Sequence, residues 1–462
     1  MIAILTLCVV VSGCTTLFPG RSEEAEKEAR LRELMTVPEA PELIREAAIP
    51  HGMRPIQVDG VGLVLALPGT GGAADPCSFR DQLLEELKRD DIRDPNHLLE
   101  QNDTALVRVR AIVPPGAQRR DRLDLRLLSP IQSRASDLHG GKLSKTRTRH
   151  QQMIKNVLRK SDVMVIGQGH ILTRGDYEPA EDETLKIEGA ILSGGLVQVD
   201  RKLGLVLRPE FEHAKLAADL AAAVNRRFFF FDGTTRRGIA KAVEDDFIQL
   251  DLHPRYRANV YRLMEVVRAI GVKRESSESH KRLTLLAERL ANPSTAADAA
   301  LQLEAIGESA IPILIEGTRS PNPELRFYAA EALAYLDRVE AIEPLEEAAR
   351  EVAAFRHDAL LALQELPRQA SVDALKRLMD EPSLETRYGS FCAIRRRKDA
   401  RGGLGGRDLG PMNLHRIPSK SPPAIVVSLR EQPEIVLFGS PAEMKITSVL
   451  TVSYTHLRAH ET

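Results

Sequence analysis

The chain has 462 residues and a formal net charge of -1 at pH 7, with 43% apolar and 28% charged residues. This length is enough for two or three domains, and the composition is that of a soluble globular protein. The balanced charge excludes a general attraction to nucleic acid or anionic lipid. The four cysteines, two of them within the first 14 residues, exclude a disulfide framework and a cysteine-ligated metal site.

The N-terminal segment predicts an exported, lipid-anchored protein. Residues 2–14, IAILTLCVVVSGC, form an apolar run that is too short to span a bilayer and that ends in small residues and a cysteine. The stretch Val10–Cys14 resembles the lipobox of bacterial lipoproteins, in which the cysteine is acylated and becomes the first mature residue. Residues 1–14 are therefore predicted to be a lipoprotein signal peptide with Cys14 as its lipid anchor. The alternative is an ordinary secretory signal.

The residues around this segment refine the prediction. No lysine or arginine precedes the apolar run, so the natural start is expected to lie upstream. Thr15 and Thr16 after the cysteine are not acidic, which by the sorting rules of lipoproteins predicts the periplasm and anchoring in the outer membrane. The charged residues that follow mix both signs, and they predict a solvated linker over residues 15–53.

Residues 54–272 predict a domain of mixed strands and helices. Apolar runs and alternating patterns are typical of strands, and two longer segments are amphipathic. Strands and helices do not alternate regularly, so an α+β fold is favoured over a doubly wound parallel sheet. The strand-like segments are 61–69, 104–115 and 121–129, and the helical ones are 78–90, with Ser78 as N-cap, and 212–227.

Residues 279–399 contain an internal repeat with a period of 30 residues. The segments DAALQLEAIG, YAAEALAYLD and HDALLALQEL superimpose, and each is followed by a second helical segment. Their alanine and leucine positions share one helical face, so the copies must stack to bury it. The pattern resembles short HEAT-type repeats, and an unknown protein partner is expected there. The aligned positions are Ala299, Ala329 and Ala359, and Leu303, Leu333 and Leu363.

The C-terminal part predicts a small domain and an unusual end. A glycine-rich break at 401–410 precedes two strand-like segments, AIVVSLR and EIVLFGS, which predict a hairpin in a partial β domain over 411–450. Residues 452–462 resemble a translated sequencing adapter, so the natural chain is expected to continue past about residue 451. The alternative is a genuine tail, in which His456 and His460 lack the third ligand that a metal needs.

The stretch Val61–Gly72, VGLVLALPGTGG, tests the possibility of a nucleotide-binding enzyme. A phosphate-binding loop needs a lysine and a hydroxyl residue directly after its glycines, but the next lysine is Lys88. A dinucleotide fingerprint needs a different glycine spacing and an immediate helix. We therefore interpret Gly69 and Gly71 as residues of a tight turn. No catalytic, cofactor or metal site is predicted, and the protein is not expected to be an enzyme.

Two further sequence features, a basic block and a run of phenylalanines, suggest possible contacts with other molecules. Residues 108–160 hold 14 lysines and arginines against three aspartates, which could attract a polyanion. Export makes nucleic acid an unexpected partner, so a solvated surface, or one facing anionic cell-wall polymer or lipid, is predicted. The run Phe228–Phe231 is interpreted as a buried helix end or strand rather than a membrane wedge.

The order of these pieces resembles bacterial flagellar P-ring proteins over about half of the chain. The opening GVGLVLALPGTGG and its following helix resemble the start of that family, and the segment 102–143 resembles its next motif. Further segments follow in the same order, namely 163–169, 189–195, 205–225 and 248–267. The shared positions in the second motif are Pro114, Pro115, Asp121, Asp124, Gly140 and Gly141.

The resemblance implies a structural subunit of a closed periplasmic ring, a bushing around the flagellar rod, without catalysis or cofactor. Implied partners are further copies, the rod, the outer-membrane ring proteins and, through Cys14, outer-membrane lipid. The fold class is an α+β ring-forming domain, then an α-solenoid of short HEAT-like repeats and a partial small β domain. The lipid anchor, the repeats, the basic insertion near 145–160 and Gly116 in place of a phenylalanine depart from the family. The alternative is a non-flagellar periplasmic lipoprotein scaffold that reuses this fold.

Overall fold

The structure is a computed structural model that describes residues 36–154, 157–174, 183–272, 276–397, 399–409, 412–428, 433–439 and 449–452. The predicted signal peptide with Cys14 and the segment 453–462 lie outside these residues. Within them, no helix combines the length and the apolar character that crossing a membrane requires.

The chain enters the fold earlier than its sequence predicts. Helix α1 (Ile44–Ala47) and strand β1 (Ala48–His51) lie in the predicted linker, and β1 pairs antiparallel with Leu203–Leu207. The linker prediction is therefore wrong for residues 44–51. Elements of four residues carry too little periodicity to be recognised, and the partners that bury them are distant in the chain.

A closed antiparallel barrel follows. Six strands pair in the order β4-β3-β2-β5-β6-β8, and β4 also pairs with β8, which removes the open edges of the sheet. Val107, Val109 and Leu125 point into a core of their own. The elements are β2 (Ile56–Leu65), α2 (Ser78–Arg89), α3 (Pro95–Leu98), β3 (Ala105–Val113), β4 (Arg122–Leu128), β5 (Lys142–Ile154), β6 (Val157–His170), β7 (Leu172–Thr173) and β8 (Glu188–Val197).

Helix α2 lies where the sequence predicts a helix, although its first residues differ in role. Cys77 takes the N-cap position and Ser78 is the first helical residue, without a side-chain capping bond. The helix packs Leu83 and Leu87 against Val61, Leu63 and Leu106 on the outer face of the barrel. It therefore covers one side of strands β2 and β3.

A second subdomain packs helices against a four-stranded antiparallel sheet of order β1-β9-β13-β12. Leu216, Leu220 and Val224 recur every four residues on α4 and are buried on one face. The further elements of this second subdomain are β9 (Leu203–Leu207), α4 (Ala214–Arg227), β10 (Phe229–Asp232), β11 (Thr235–Gly238), β12 (Ala240–Ala242), β13 (Phe247–Leu250) and α5 (Val260–Arg268). We call it the sheet subdomain.

The aromatic run ends α4 and starts a two-stranded ribbon. Phe228 caps the helix and is fully buried, and Phe229–Asp232 forms β10, which pairs with β11. Phe231 is 66% exposed because a two-stranded ribbon has an uncovered face. The sequence predicts a buried helix end or strand for this run. The backbone agrees, since the run ends a helix and begins a strand, but complete burial is found for Phe228 and not for Phe231.

The repeats form stacked helices as their period predicts. All six aligned alanines and leucines, from Ala299 to Leu363, are completely buried. Each repeat supplies a pair of antiparallel helices that buries these positions against its neighbours. The helices are α6 (Ser276–Leu290), α7 (Pro293–Ile306), α8 (Ile311–Gly317), α9 (Pro323–Tyr335), α10 (Ile342–Glu351), α11 (Arg356–Glu365), α12 (Gln369–Leu378) and α13 (Leu384–Arg396).

A small mixed sheet ends the described chain, and its strands follow the order β14-β15-β17-β16-β18. The predicted hairpin is formed by β16 and β17, which pair antiparallel with Ala424 opposite Phe438. Arg395 of α13 contacts Glu434 and joins this sheet to the repeats. The strands are β14 (Arg407–Asp408), β15 (Asn413–Ile417), β16 (Ala424–Ser428), β17 (Glu434–Phe438) and β18 (Val449–Val452).

One apolar core runs through most of the molecule. It extends without a break from Ile44 in the sheet subdomain, through the repeats, to Phe438 in the small sheet. The barrel is joined to this body by Arg201, which is buried and donates from Nη1 to the Val113 carbonyl at 2.9 Å. The predicted succession of an α+β domain, helical repeats and a small β domain is confirmed.

Candidate functional site

The glycine turn after β2 is held by the chain that leads into β3. Gly71 N donates to Asn102 O at 2.8 Å, and Gly72 N donates to Thr104 O at 3.0 Å. A Cβ on Gly71 would lie 2.2 Å from Thr104 O, so no larger residue fits. Gly69 has a φ of +82°, which a residue with a side chain adopts only at a cost. The glycines therefore serve the turn, as predicted.

The glycine amides of this turn are not available to a phosphate. A phosphate-binding loop presents several backbone N–H groups to the ligand. Here the N–H groups of Gly69, Gly71 and Gly72 already donate to carbonyl oxygens of the chain. The turn is thus a structural joint between β2, α2 and β3.

Part of the basic block is neutralised inside the barrel domain. Arg147 donates to Glu86 at 3.1 Å and to Asp90 at 3.0 Å, and Arg149 donates to Glu86 at 3.0 Å. The hydrogen bond from Arg147 holds the pKa of Asp90 below its usual value. Arg110 pairs with Asp59 in the same way. The basic surface is therefore smaller than the residue count of 108–160 indicates.

The sheet subdomain and the repeats are joined through a buried ionic cluster around Arg262 of α5. Its guanidinium donates to Glu304 from Nε at 3.1 Å and from Nη2 at 2.6 Å, and it also contacts Glu331. Tyr256 donates its hydroxyl to the other Glu304 oxygen at 2.5 Å. Glu304 is completely buried and Glu331 is 5% exposed. We call Arg262, Glu304, Glu331 and Tyr256 the junction cluster.

Aromatic stacking reinforces the junction cluster. The rings of Tyr256 and Tyr335 stack with centroids 4.7 Å apart. Arg255 donates to the Tyr335 carbonyl at 3.1 Å, and Arg227 donates to the Glu304 carbonyl at 2.9 Å. These contacts cross between the sheet subdomain and helices α7 and α9. The repeats are therefore fixed to the sheet subdomain and are not a tethered module.

One arginine faces two carboxylates in this cluster, so one carboxylate is poorly compensated. Burial raises the pKa of Glu331 to about 7, and the nearby Asp358 and Glu304 act in the same direction against the effect of Arg262. Burial likewise raises the pKa of Tyr335 well above its ordinary value. Glu331 is therefore expected to hold a proton at a higher pH than an exposed glutamate does.

Stability is expected to depend on pH through Glu331. Between the ordinary value of 4.5 and about 7, the folded chain holds a proton that the unfolded chain releases. The free energy of unfolding should therefore fall as the pH rises through this window, by up to about 1.4 kcal/mol per pH unit. Urea denaturation at several pH values checks this. In Glu331→Gln the decline should be reduced, and an equal decline in both proteins would contradict the assignment.

A groove of about 1190 Å³ lies beside the junction cluster. It lies between the last turn of α4, the middle of α6 and the connection from α7 to α8. Among its lining residues, six are cationic and two, Glu42 and Glu308, are anionic. The cationic residues are Arg226, Arg227, Arg255, Lys281, Arg282 and Arg338. We call this the basic groove.

Some residues considered in the sequence analysis are not covered by the structure. Cys14, His456 and His460 lie outside the described residues. In the part of the chain that the structure covers, no three His, Cys, Asp or Glu side chains are arranged to hold a metal ion.

Two family models match this chain. The model for the flagellar P-ring protein matches residues 44–283, and the model for HEAT repeats matches residues 280–364. The first match covers just over half of the chain and includes both the barrel and the sheet subdomain. The chain belongs to the flagellar P-ring protein family.

Curated relatives are flagellar P-ring proteins at modest identity. The protein from Thermotoga maritima is 27% identical over 244 residues, which is 50% of this chain and 66% of the relative. That from Nitrobacter hamburgensis is 26% identical over 54% of this chain and 64% of the relative. The protein from Geobacter metallireducens is 28% identical over 52% of this chain and 64% of the relative. The chain thus spans a little under two thirds of the length of these relatives.

The positions that resemble the P-ring motif carry structural tasks in this chain. Asp124 accepts from Ser193 N at 2.7 Å, where the β4–β8 pairing shifts its register, so it supports the closure of the barrel. Asp121 accepts from Gln118 N at 2.8 Å and pairs with Arg257 at 2.9 Å, which ties the barrel to the sheet subdomain. Of these two aspartates, one therefore supports the barrel itself and the other connects the barrel to the sheet subdomain.

Sequence reasoning missed the junction cluster. Glu304 and Glu331 are charged residues within the apolar stretches LQLEAIG and YAAEALA, on helices that the repeat buries on several sides. A buried carboxylate requires a charged or hydrogen-bonding partner. The two glutamates in apolar stretches could therefore have indicated that a buried cation lies nearby. The identity of that partner, Arg262, follows only from the packing of α5 against α7.

Proposed function

We propose that the protein is a structural subunit of a P-ring-like assembly in the periplasm, which forms a bushing around the flagellar rod. The observation that carries this proposal is the family match over residues 44–283, because it spans the barrel and the sheet subdomain as one unit. The tasks of the motif residues Asp121 and Asp124 are architectural, which suits a structural role. Partners would be further copies, the rod and outer-membrane ring proteins.

The repeats would extend this role by docking a further protein. Helical repeats present surfaces that commonly bind proteins. The junction cluster fixes α7 and α9 to the sheet subdomain, so a partner on the repeats would be held at a set position relative to the ring. The repeats thus act as a rigid bracket in this proposal.

Electron microscopy tests the ring. The purified protein, or envelopes from the native cell, should show closed rings that antibodies against this chain label. The rival role, a non-flagellar periplasmic scaffold that reuses the fold, predicts single copies and a genome without rod, hook or outer-membrane ring genes. Rings absent from both preparations would contradict the proposed function.

Anchoring through Cys14 is a separate prediction. A lipobox cysteine is acylated during export, so cells grown with a palmitate analogue should incorporate the label into this protein. Cys14→Ser should lose the label completely and move from the membrane fraction to the soluble periplasmic fraction. The matched control Cys77→Ser should keep the label, since Cys77 lies within the folded domain. Labelling that survives Cys14→Ser would disprove the anchor.

A further inference from the structure

Two oppositely charged surfaces lie at the two ends of helix α4. The last turn of α4 forms one wall of the basic groove through Ala223, Arg226 and Arg227. The segment before its first residue carries Glu210 and Glu212, both exposed. A helix of 14 residues is about 21 Å long, so the two surfaces are separated by about that distance.

The fold compensates the positive charge of the basic groove only in part: Arg255 pairs with Asp337 at 3.6 Å and Arg338 pairs with Glu340 at 3.3 Å. Arg227 donates to a backbone carbonyl, and Arg282 donates to the amide oxygen of Gln302 at 3.2 Å, so both hydrogen-bond to neutral acceptors. Lys281 lines the groove and is exposed. Leu285 adds an apolar contact in the same groove, where it is 46% exposed.

The opposite end of α4 carries carboxylates on two adjacent segments. His213 N donates to Asp245 O at 3.2 Å, which places the turn between β12 and β13 beside the start of α4. This acidic patch consists of exposed side chains that take part in none of the ion pairs seen in the described part of the chain. Val243 lies in the same turn and is 51% exposed. The acidic patch comprises Glu210, Glu212, Asp219, Glu244 and Asp245, and the exposed Arg208, Lys215 and Lys241 on the same elements lower its net negative charge.

We infer that the acidic patch of one copy docks into the basic groove of the next copy. The two surfaces complement each other in charge, and each has an exposed apolar residue, Val243 and Leu285, among its charged ones. Two different surfaces on one chain form a head-to-tail contact, which closes into a ring when the rotation between copies allows it. The inference rests on the proposed function and names the surface that would form the ring.

This contact would be specific to a chain that carries the repeats. Lys281, Arg282 and Glu308 of the groove belong to α6 and to the connection from α7 to α8. One wall of the groove therefore comes from the repeats and the other from α4. The repeats would take part in the ring contact itself, beside any partner that they dock.

A pair of charge-reversal variants tests the inference. The groove variant carries Arg226→Glu and Lys281→Glu, and the patch variant carries Glu212→Lys and Glu244→Lys. All four side chains are exposed, so the circular dichroism spectra of both variants should match that of the unaltered protein. Sedimentation velocity of the purified full chain at low salt should show oligomers for the unaltered protein. Each variant alone should associate at least about tenfold more weakly.

Mixing the two variants distinguishes a head-to-tail contact from other modes. The groove variant keeps its acidic patch and the patch variant keeps its groove, and the two reversed surfaces are also opposite in charge. An equimolar mixture should therefore recover the association that each variant alone has lost. Lys376→Glu, an exposed charge reversal on α12, should associate like the unaltered protein.

The possible failures separate the two proposals. If the unaltered protein forms oligomers that neither variant weakens, or if the mixture does not recover association, the inferred contact is wrong and the ring role stands. If the unaltered protein remains a single copy at every concentration, both the contact and the ring role are wrong.

Discussion

Replacing Arg262 with methionine is expected to lower the free energy of unfolding by about 3 to 5 kcal/mol. The substitution keeps much of the side-chain volume but removes the cation that faces Glu304 and Glu331. Two carboxylates would then be buried without a charged partner, and Glu304 would lose two of its three hydrogen bonds. Urea denaturation followed by far-ultraviolet circular dichroism measures the change, since the chain contains no tryptophan.

Two comparisons separate the lost charge from lost packing. The triple variant Arg262→Met, Glu304→Gln, Glu331→Gln should regain part of the stability, because no charge remains buried without a partner. Arg319→Ala removes an ion pair with Glu316 that is exposed on both sides, and it should change stability by less than about 1 kcal/mol. If Arg262→Met costs no more than Arg319→Ala, the junction cluster does not hold the repeats in place.

Replacing Gly71 with valine is expected to destabilise the barrel domain by about 3 kcal/mol or more. Its Cβ would lie 2.2 Å from Thr104 O, 2.6 Å from Asn102 O and 2.8 Å from Thr104 N. All three are backbone atoms, so relief requires moving the entry to β3 and breaking the bond from Gly71 N. Urea denaturation and the yield of soluble protein measure the effect.

A neighbouring glycine is the matched control. A Cβ on Gly69 meets no atom within 4 Å, so Gly69→Asn tests the positive φ alone and should cost about 1 kcal/mol or less. Calorimetry with ATP and NAD should show no binding to the unaltered protein. If ATP binds, and Gly71→Val abolishes binding while leaving stability unchanged, the turn is a phosphate loop and our interpretation is wrong.

The repeats show how much of this fold is encoded locally. Ala299, Ala329 and Ala359 recur every 30 residues, and the small side chain and the helical spacing together predict a close helix pair. The structure buries all three completely. The hairpin of β16 and β17 was predictable for the same reason, because its pattern lies within a short stretch of chain.

The barrel and the basic groove were not predictable in this way. Closure depends on the pairing of β4 with β8, and the paired residues are 60 to 74 positions apart in the chain. The groove gathers Arg227, Lys281 and Arg338 from three separate elements. No local periodicity relates such positions, because strand pairing and helix packing set their distances.

By itself, the sequence determined the stacking repeats, the tight turn at Gly69 and Gly71 and the succession of domains, since each depends on spacing within a few turns or strands. Only the tertiary structure decided that β1 belongs to the sheet subdomain, that Arg262 neutralises carboxylates of two repeat helices, and that opposite charges lie at the ends of α4. Periodicity shows which face of an element is buried. The element that covers this face is selected by shape and charge across distant parts of the chain.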